Sequence, residues 1–354
     1  MGGIHQFVPL LHVGDAVGQH TLDLRRLLTE SGVDAQIYVE LDDPDTVHLT
    51  RPAGSYPDHA ARGDLLVYQF ATASDLAPWL AARPERLVVN YHNITPAELF
   101  APWDNGLGRH QVRAKEELVM LARRATLGVG VSEYNRRDLV AAGYQETAVV
   151  PPIVRFATGA PSSAPPEADG RGAARWLAVG RLAPNKALED TLQALLVYRM
   201  RHDPKATLTV VGRPAIPVYA TAVRRFAADL GLGDAVRFTG RLEDAGLVAA
   251  YRSSDVLVIT SEHEGFCLPA LEAMANDLPV VAYAEGALPE VLGDAADLLS
   301  TKDPLVVADA VHRLAADPAW RAARVAAGRR RLPELRLDQA GPRLVELLRR
   351  VREG

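Results

Sequence analysis

Two glutamates eight positions apart, Glu264 and Glu272, bracket the stretch EGFCLPALE. The stretch follows the apolar run DVLVIT and a short polar loop from Ser261 to His263, so Glu264 is expected in a loop at a strand end. Pro269 suits an early helical position, where its missing N–H would have no intrahelical partner anyway. That start puts Glu272 in the first helical turn and aims the backbone N–H groups of Gly265, Phe266, Cys267 and Leu268 outward. N–H groups at the positive end of a helix bind anions. A loop and helix of this kind can hold phosphate oxygens and sugar hydroxyls together. The competing reading makes the two carboxylates the acid and base of a glycosidase. A carboxylate on a phosphate-facing helix start suits hydroxyl binding better than proton transfer.

These side chains need strand ends to hold them, and the chain supplies two sets. In the first half, strands are expected over residues 4–8, 35–39, 65–70, 87–91 and 127–131. Helices fit residues 21–30, 74–82, 109–124 and 133–142, the last with Ser132 as N-cap. Such βα alternation implies a mostly parallel sheet covered on both faces. The segment PSSAPPEADGRGA, residues 161–173, lacks apolar periodicity and reads as a linker. Alternation then restarts, with strands over residues 176–179, 206–211, 236–239, 256–259 and 279–282. Near the end, Leu344, Leu347, Leu348 and Val351 fall on one helical face that must pack on something, with the first domain as a candidate. The reading is an α/β protein with a first Rossmann-like domain at 1–160, a linker at 161–173, a second Rossmann-like domain at 174–334 and a terminal helix at 335–354. Two Rossmann-like domains hold ligands at the carboxyl ends of their strands.

Three segments, in order, resemble those of one family. The stretch from Glu264 to Glu272 is similar to the E-x7-E signature of the group 1 glycosyltransferases, the GT4 family, which have the GT-B fold. Ala178-Val-Gly-Arg-Leu-Ala-Pro-Asn-Lys186 resembles the family's strand-end G-R…K motif, and Ala284-Glu-Gly-Ala-Leu-Pro-Glu-Val291 resembles its G-x-P-E-V segment. The resemblance implies two facing Rossmann-like domains, the first for the acceptor and the second for the nucleotide sugar, and a retaining, metal-independent transfer of a sugar from a nucleotide diphosphate. It implies that Arg181 and Lys186, after Gly180, bind the diphosphate and offset the charge of the leaving group. Glu264 would bind donor-sugar hydroxyls, Glu272 the ribose hydroxyls, and the backbone around Arg241 the base edge. In the first half, LVVNYHN places His92 at a strand end facing the expected crevice, where the family carries a histidine that contacts the donor sugar. Gly14-Asp15-Ala-Val-Gly18 follows the first strand and corresponds to the glycine turn that faces the donor phosphates. Asp15 stands where the family often has a second glycine, and meeting the acceptor is its alternative role.

Asp43-Pro-Asp45 matches the D-x-D of metal-dependent glycosyltransferases of the other major fold. An acidic turn is preferred, because Arg181 and Lys186 already supply positive charge; no metal or cofactor is expected. A non-catalytic sugar-nucleotide-binding subunit is the other alternative, and such a protein would be expected to have lost one of the charged motif residues. Across 354 residues the chain is 48% apolar with a net charge of −5, which suits two packed domains and gives no nucleic-acid footprint. A single cysteine excludes an intrachain disulfide framework. The opening MGGIHQFVPLLHVGD lacks the layout of a signal peptide, and no run reaches the roughly 18 apolar residues of a membrane span. A cytoplasmic location is expected. Weak peripheral membrane contact through Arg109, Arg113, Lys115, Arg123 and Arg124 of the 109–124 helix is the minority alternative to a solvated face. The expected partners are a nucleotide sugar, with UDP favoured over GDP, and a saccharide, glycolipid or small-metabolite acceptor.

Overall fold

The computed structural model describes residues 2–13, 15–154 and 173–354, which form two units. The expected linker therefore lies outside the described residues, apart from Ala173, and so does Gly14. The first unit comprises Met1–Ala101, Asn105–Val154 and Arg336–Gly354; the second comprises Pro102–Asp104 and Arg155–Leu335.

In the first unit the chain runs β1 (Ile4–Leu10), α1 (Ala16–Glu30), β2 (Ile37–Leu41), β3 (Arg51–Pro52), β4 (Leu65–Phe70), α2 (Leu76–Ala81) and β5 (Arg86–Tyr91). It continues through α3 (Ala97–Phe100), α4 (Asn105–Ala122), β6 (Leu127–Gly130), α5 (Glu133–Ala141) and β7 (Thr147–Val149). The seven strands are all parallel, in the order β3-β2-β1-β4-β5-β6-β7. Side chains alternate between the two faces of a strand, so each buried strand feeds two cores. Phe7, Tyr68, Phe70, Val89 and Tyr91 face α2 and α4. Ile4, Leu65, Val67 and Val88 face Leu24 and Leu28 of α1. Leu344 and Leu348 join that second core from the terminal helix, and Leu347 and Val351 pack at its border.

The second unit runs β8 (Arg175–Val179), α6 (Leu188–Arg201), β9 (Thr207–Val211), α7 (Pro217–Asp229), β10 (Val236–Gly240), α8 (Asp244–Arg252), β11 (Val256–Ile259) and α9 (Leu268–Ala275). Then come β12 (Val280–Tyr283), α10 (Leu288–Leu292), β13 (Ala296–Leu299), α11 (Pro304–Ala316) and α12 (Pro318–Glu334). Its six strands are also all parallel, ordered β10-β9-β8-β11-β12-β13. The terminal helix α13 (Leu337–Glu353) belongs to the first unit. Its Arg349 and Arg352 donate to the carbonyls of Ser31 and Gly2 there.

Two expectations need correcting. The helix placed at residues 21–30 begins at Ala16, because Asp15 caps it by accepting from the Gly18 N–H at 2.7 Å. Three short edge strands, β3, β7 and β13, have no counterpart in the sequence reading. Among the described residues, no helix is long and apolar enough to cross a membrane.

Candidate active site

In the second unit the strand order reverses between β8 and β11, and open parallel sheets collect ligands outside the carboxyl ends of their strands at such a point. A cleft opens there, lined among others by Gly180, Arg181, Lys186, Thr260, Glu264 and Cys267. Gly180 leaves β8 and Gly212 leaves β9, and the two turns touch. A Cβ on Gly212 would stand 1.8 Å from the Gly180 carbonyl oxygen, so only glycine permits this approach.

The loop after β8 and the loop after β11 are fastened to each other. Asn185 donates from Nδ2 to the His263 carbonyl at 3.2 Å, and its own carbonyl accepts from the Glu262 N–H at 2.9 Å. Thr260 donates from Oγ1 to the Ala187 carbonyl at 2.9 Å. Lys302 grips Glu262 and Asp190, each at 2.5 Å. The Ser261–His263 loop, expected to be polar, thus has both Ser261 and His263 buried. From the other side Gly286, at φ 61°, presses its backbone against Glu264 while the Ala287 N–H donates to the Glu264 carbonyl at 2.9 Å.

So held, Glu264 meets Lys186, with Oε1 2.5 Å from Nζ. Burial alone would lower the Lys186 ammonium, but the Glu264 carboxylate outweighs it and holds the group above its ordinary value. Burial pushes the Cys267 thiol up, and Glu264 adds to that. Cys267 sits in the left-handed region at φ 71°, which costs a non-glycine residue about 1–2 kcal/mol. From there α9 starts at Leu268, so Glu272 is its fifth residue and lies in the second turn, not the first. Glu272 Oε2 accepts from the Tyr251 hydroxyl of α8 at 2.7 Å. Burial raises the Glu272 carboxyl, the Tyr251 hydrogen bond works against this, and Asp244 adds to the rise. The cleft brings together Gly180, Arg181, Lys186, Glu264 and Cys267, while Gly265, Phe266, Leu268, Glu272 and Arg241 lie outside its lining. Arg241 is exposed just beyond β10.

In the first unit His92 follows β5, and Asn93 then turns the chain at φ 87°, a conformation asparagine tolerates better than most residues. His92 Nε2 lies 2.7 Å from Gln69 Oε1. Gln69 donates to Gln6 Oε1 at 2.7 Å and accepts from Asn90 Nδ2 at 2.9 Å. Burial lowers the His92 imidazole well below its ordinary value, and neighbouring His20 adds to this. Asp43 Oδ2 meets His12 Nδ1 at 2.9 Å, and its Oδ1 accepts from the Asp45 N–H at 2.9 Å, closing an acidic turn. On α4, Arg113 pairs with Asp75 and Glu117 and Lys115 with Asp138; the helix ends at Ala122 rather than 124, and beyond it Arg124 donates to the Arg83 and Glu85 carbonyls. Much of that basic charge is thus spent inside the unit.

Sequence reasoning missed Gln6, Gln69, Asn90 and His20, and on the other unit Tyr251, and it gave no separate role to Asn185 and Gly286 within the motifs that contain them. One signal was available: a single amide interrupts each of the apolar strands IHQFVPL, LLVYQF and RLVVNY.

A profile of the family described as "Glycosyl transferases group 1" matches residues 171–331. The D-inositol 3-phosphate glycosyltransferase of Kineococcus radiotolerans is 31% identical over 328 residues, covering 83% of this chain and 73% of that protein. The enzyme of the same name from Frankia alni is 39% identical over 160 residues, covering 43% and 39% of the two chains. Across three curated relatives the chain spans 39%, 62% and 29% of their lengths. Among solved structures, Anabaena Alr3699/HepE in complex with UDP and glucose superposes with a TM-score of 0.74 at 18% identity, covering 98% of this chain and 99% of that one.

Proposed function

The chain belongs to the group 1 glycosyltransferases, and we propose that it is a retaining, metal-independent enzyme that moves a hexose-type sugar from a nucleotide diphosphate to an acceptor hydroxyl. The observation that carries this reading is the Lys186–Glu264 pair beside Arg181 at the switch point of the second unit. A cation held charged beside an exposed guanidinium suits a diphosphate that gains charge as it departs. Glu264 then takes donor-sugar hydroxyls, and the N–H groups from Gly265 to Leu268 take phosphate oxygens. Glu272 takes the ribose hydroxyls and the backbone around Arg241 the base edge. His92 positions the sugar, and the Gly14–Asp15 turn serves the donor phosphates or the acceptor.

In the proposed step the acceptor oxygen bonds to the anomeric carbon as the bond to the diphosphate breaks. The acceptor's proton passes to the departing phosphate oxygen, so no protein base is required and the acceptor enters on the leaving-group face. UDP is placed before GDP; the Anabaena structure of the same fold, solved with UDP and glucose, supports that order. The acceptor is a saccharide, a glycolipid or a small metabolite. The name of the Kineococcus radiotolerans relative makes a phosphorylated polyol the first small acceptor to try.

Proton NMR of the first-formed product, in excess EDTA, tests the reading. An α-linked product from an α-linked sugar nucleotide is expected. A β-linked product overturns retention, and transfer that returns only with Mn2+ overturns metal independence.

A further inference from the structure

On the first-unit face covered by α1 and α13, alternate residues of three neighbouring strands begin apolar, with Ile4, Leu65, Val67 and Val88. Toward the carboxyl ends of β4 and β5 the same rows turn into the amides Gln69 and Asn90, and on β1 the residue after Ile4 in its row is the amide Gln6. With His20 of α1, these are at most 1% exposed, so their polar atoms must be satisfied by one another. The chain of bonds has a direction. Gln6 Nε2 donates to the Thr21 carbonyl at 2.9 Å. A carbonyl can only accept, so Gln6 must present Oε1 to Gln69. Gln69 then presents Nε2 to Gln6 and turns Oε1 toward Asn90 and His92.

At its far end the chain meets a second backbone group, the Ile153 N–H, 3.0 Å from His20 Nδ1. Asn90 Nδ2 lies 2.8 Å from His20 Nε2, so a donor faces a donor on one side of that ring. Reversing every amide would cure this end but set the Gln6 oxygen against the Thr21 carbonyl, between a strand and a packed helix. Ile153 lies in an irregular segment that yields more easily, so Thr21 sets the polarity.

We propose that Gln69 is the positioning residue of His92: it fixes the imidazole as the Nε2–H tautomer and leaves Nδ1 as a hydrogen-bond acceptor. This rests on the reading of His92 as a sugar-positioning residue, for which a neutral Nδ1 accepts from a sugar hydroxyl. The ring is half-buried, and desolvation and neighbouring His20 both lower it, which agrees with its staying neutral.

Long-range proton–nitrogen correlation on protein labelled at histidine nitrogens, with His92→Asn for assignment, reads the tautomer directly and needs no donor. The wild type at pH 7 should show His92 neutral with Nε2 protonated; an Nδ1–H ring or a charged ring overturns the proposal. Gln69→Leu should release the ring to a tautomer mixture, and an unmoved tautomer also overturns it. Gln69→Glu keeps an acceptor for Nε2–H, so it should retain the tautomer and move the His92 titration up toward neutral pH. In turnover, Gln69→Leu should lower kcat by about tenfold, the worth of one hydrogen bond in the transition state, with donor KM little changed. Correct tautomers without sugar-nucleotide turnover would sink the functional reading alone. Wrong tautomers in an active enzyme would sink the positioning role alone.

Discussion

Lys186→Met removes the cation from an enclosed ion pair of the second unit. The Glu264 side chain is 8% exposed and that of Lys186 is 20% exposed, so the pair lies between the buried and surface limits. Breaking a fully buried pair from one side costs about 3–5 kcal/mol, whereas exposed pairs contribute about 0–1 kcal/mol. Water reaching Lys186 screens part of the interaction, so a loss of about 2–3 kcal/mol is expected. For a unit of this size that lowers Tm by about 4–12 °C. Glu264→Gln alone should cost less, since a neutral amide still accepts from Lys186. The double variant should recover at least about 1 kcal/mol relative to the sum of the two. Scanning calorimetry measures the cycle. Lys186 is held above its ordinary value of 10.5, so its contribution is fully present below that pH. It is lost as pH rises through the folded-state value, and the coupling should shrink only in strong alkali. Strict additivity at pH 7, or an unchanged Tm in Lys186→Met, would refute the reasoning.

Glu272→Ala should weaken binding of bare UDP, whereas Glu264→Ala should spare it and cut transfer; equal losses by calorimetry would show the roles are misassigned. Gly286→Ala places a Cβ 2.5 Å from the Glu264 carbonyl oxygen and 2.9 Å from its nitrogen, at a left-handed φ. A stability loss of about 2–4 kcal/mol is expected in urea, and a wild-type midpoint would contradict that packing. His20 is buried neutral, with burial pulling it to about 4 against the opposing pull of Asp23. Its contribution is whole above pH 6.5 and declines as pH falls toward 4, by up to about 1.4 kcal/mol per pH unit. Urea midpoints of the wild type and His20→Gln across this range check it, and identical slopes would count against it.

Strands were legible where apolar runs were long and unbroken. LLVYQF and VLVI are found at Leu65–Phe70 and Val256–Ile259 as the sequence suggests. The edge strands were not: Ala296–Leu299 carries Asp297 in its middle and Thr147–Val149 is only three residues long, so neither produces a buried run. The spacing of Arg181, Lys186 and Glu264 pointed to one site because strand ends gather residues distant in sequence. Glu272 falls just past the first turn because α9 already begins at Leu268, one residue before Pro269, after a left-handed cysteine, and backbone handedness has no signature at a non-glycine residue. The Gln6–Gln69–Asn90 row depends on the register of three strands. No single segment encodes that register, even though each amide stands out within its own strand.

The most direct test of the central claim is calorimetric titration of the protein with UDP, GDP, ADP and dTDP in excess EDTA. One saturable site per chain is expected for at least one nucleotide, UDP first, and it is lost when Arg181 and Lys186 are both replaced by alanine. Binding of none of the four, or binding that needs added Mn2+, would contradict it.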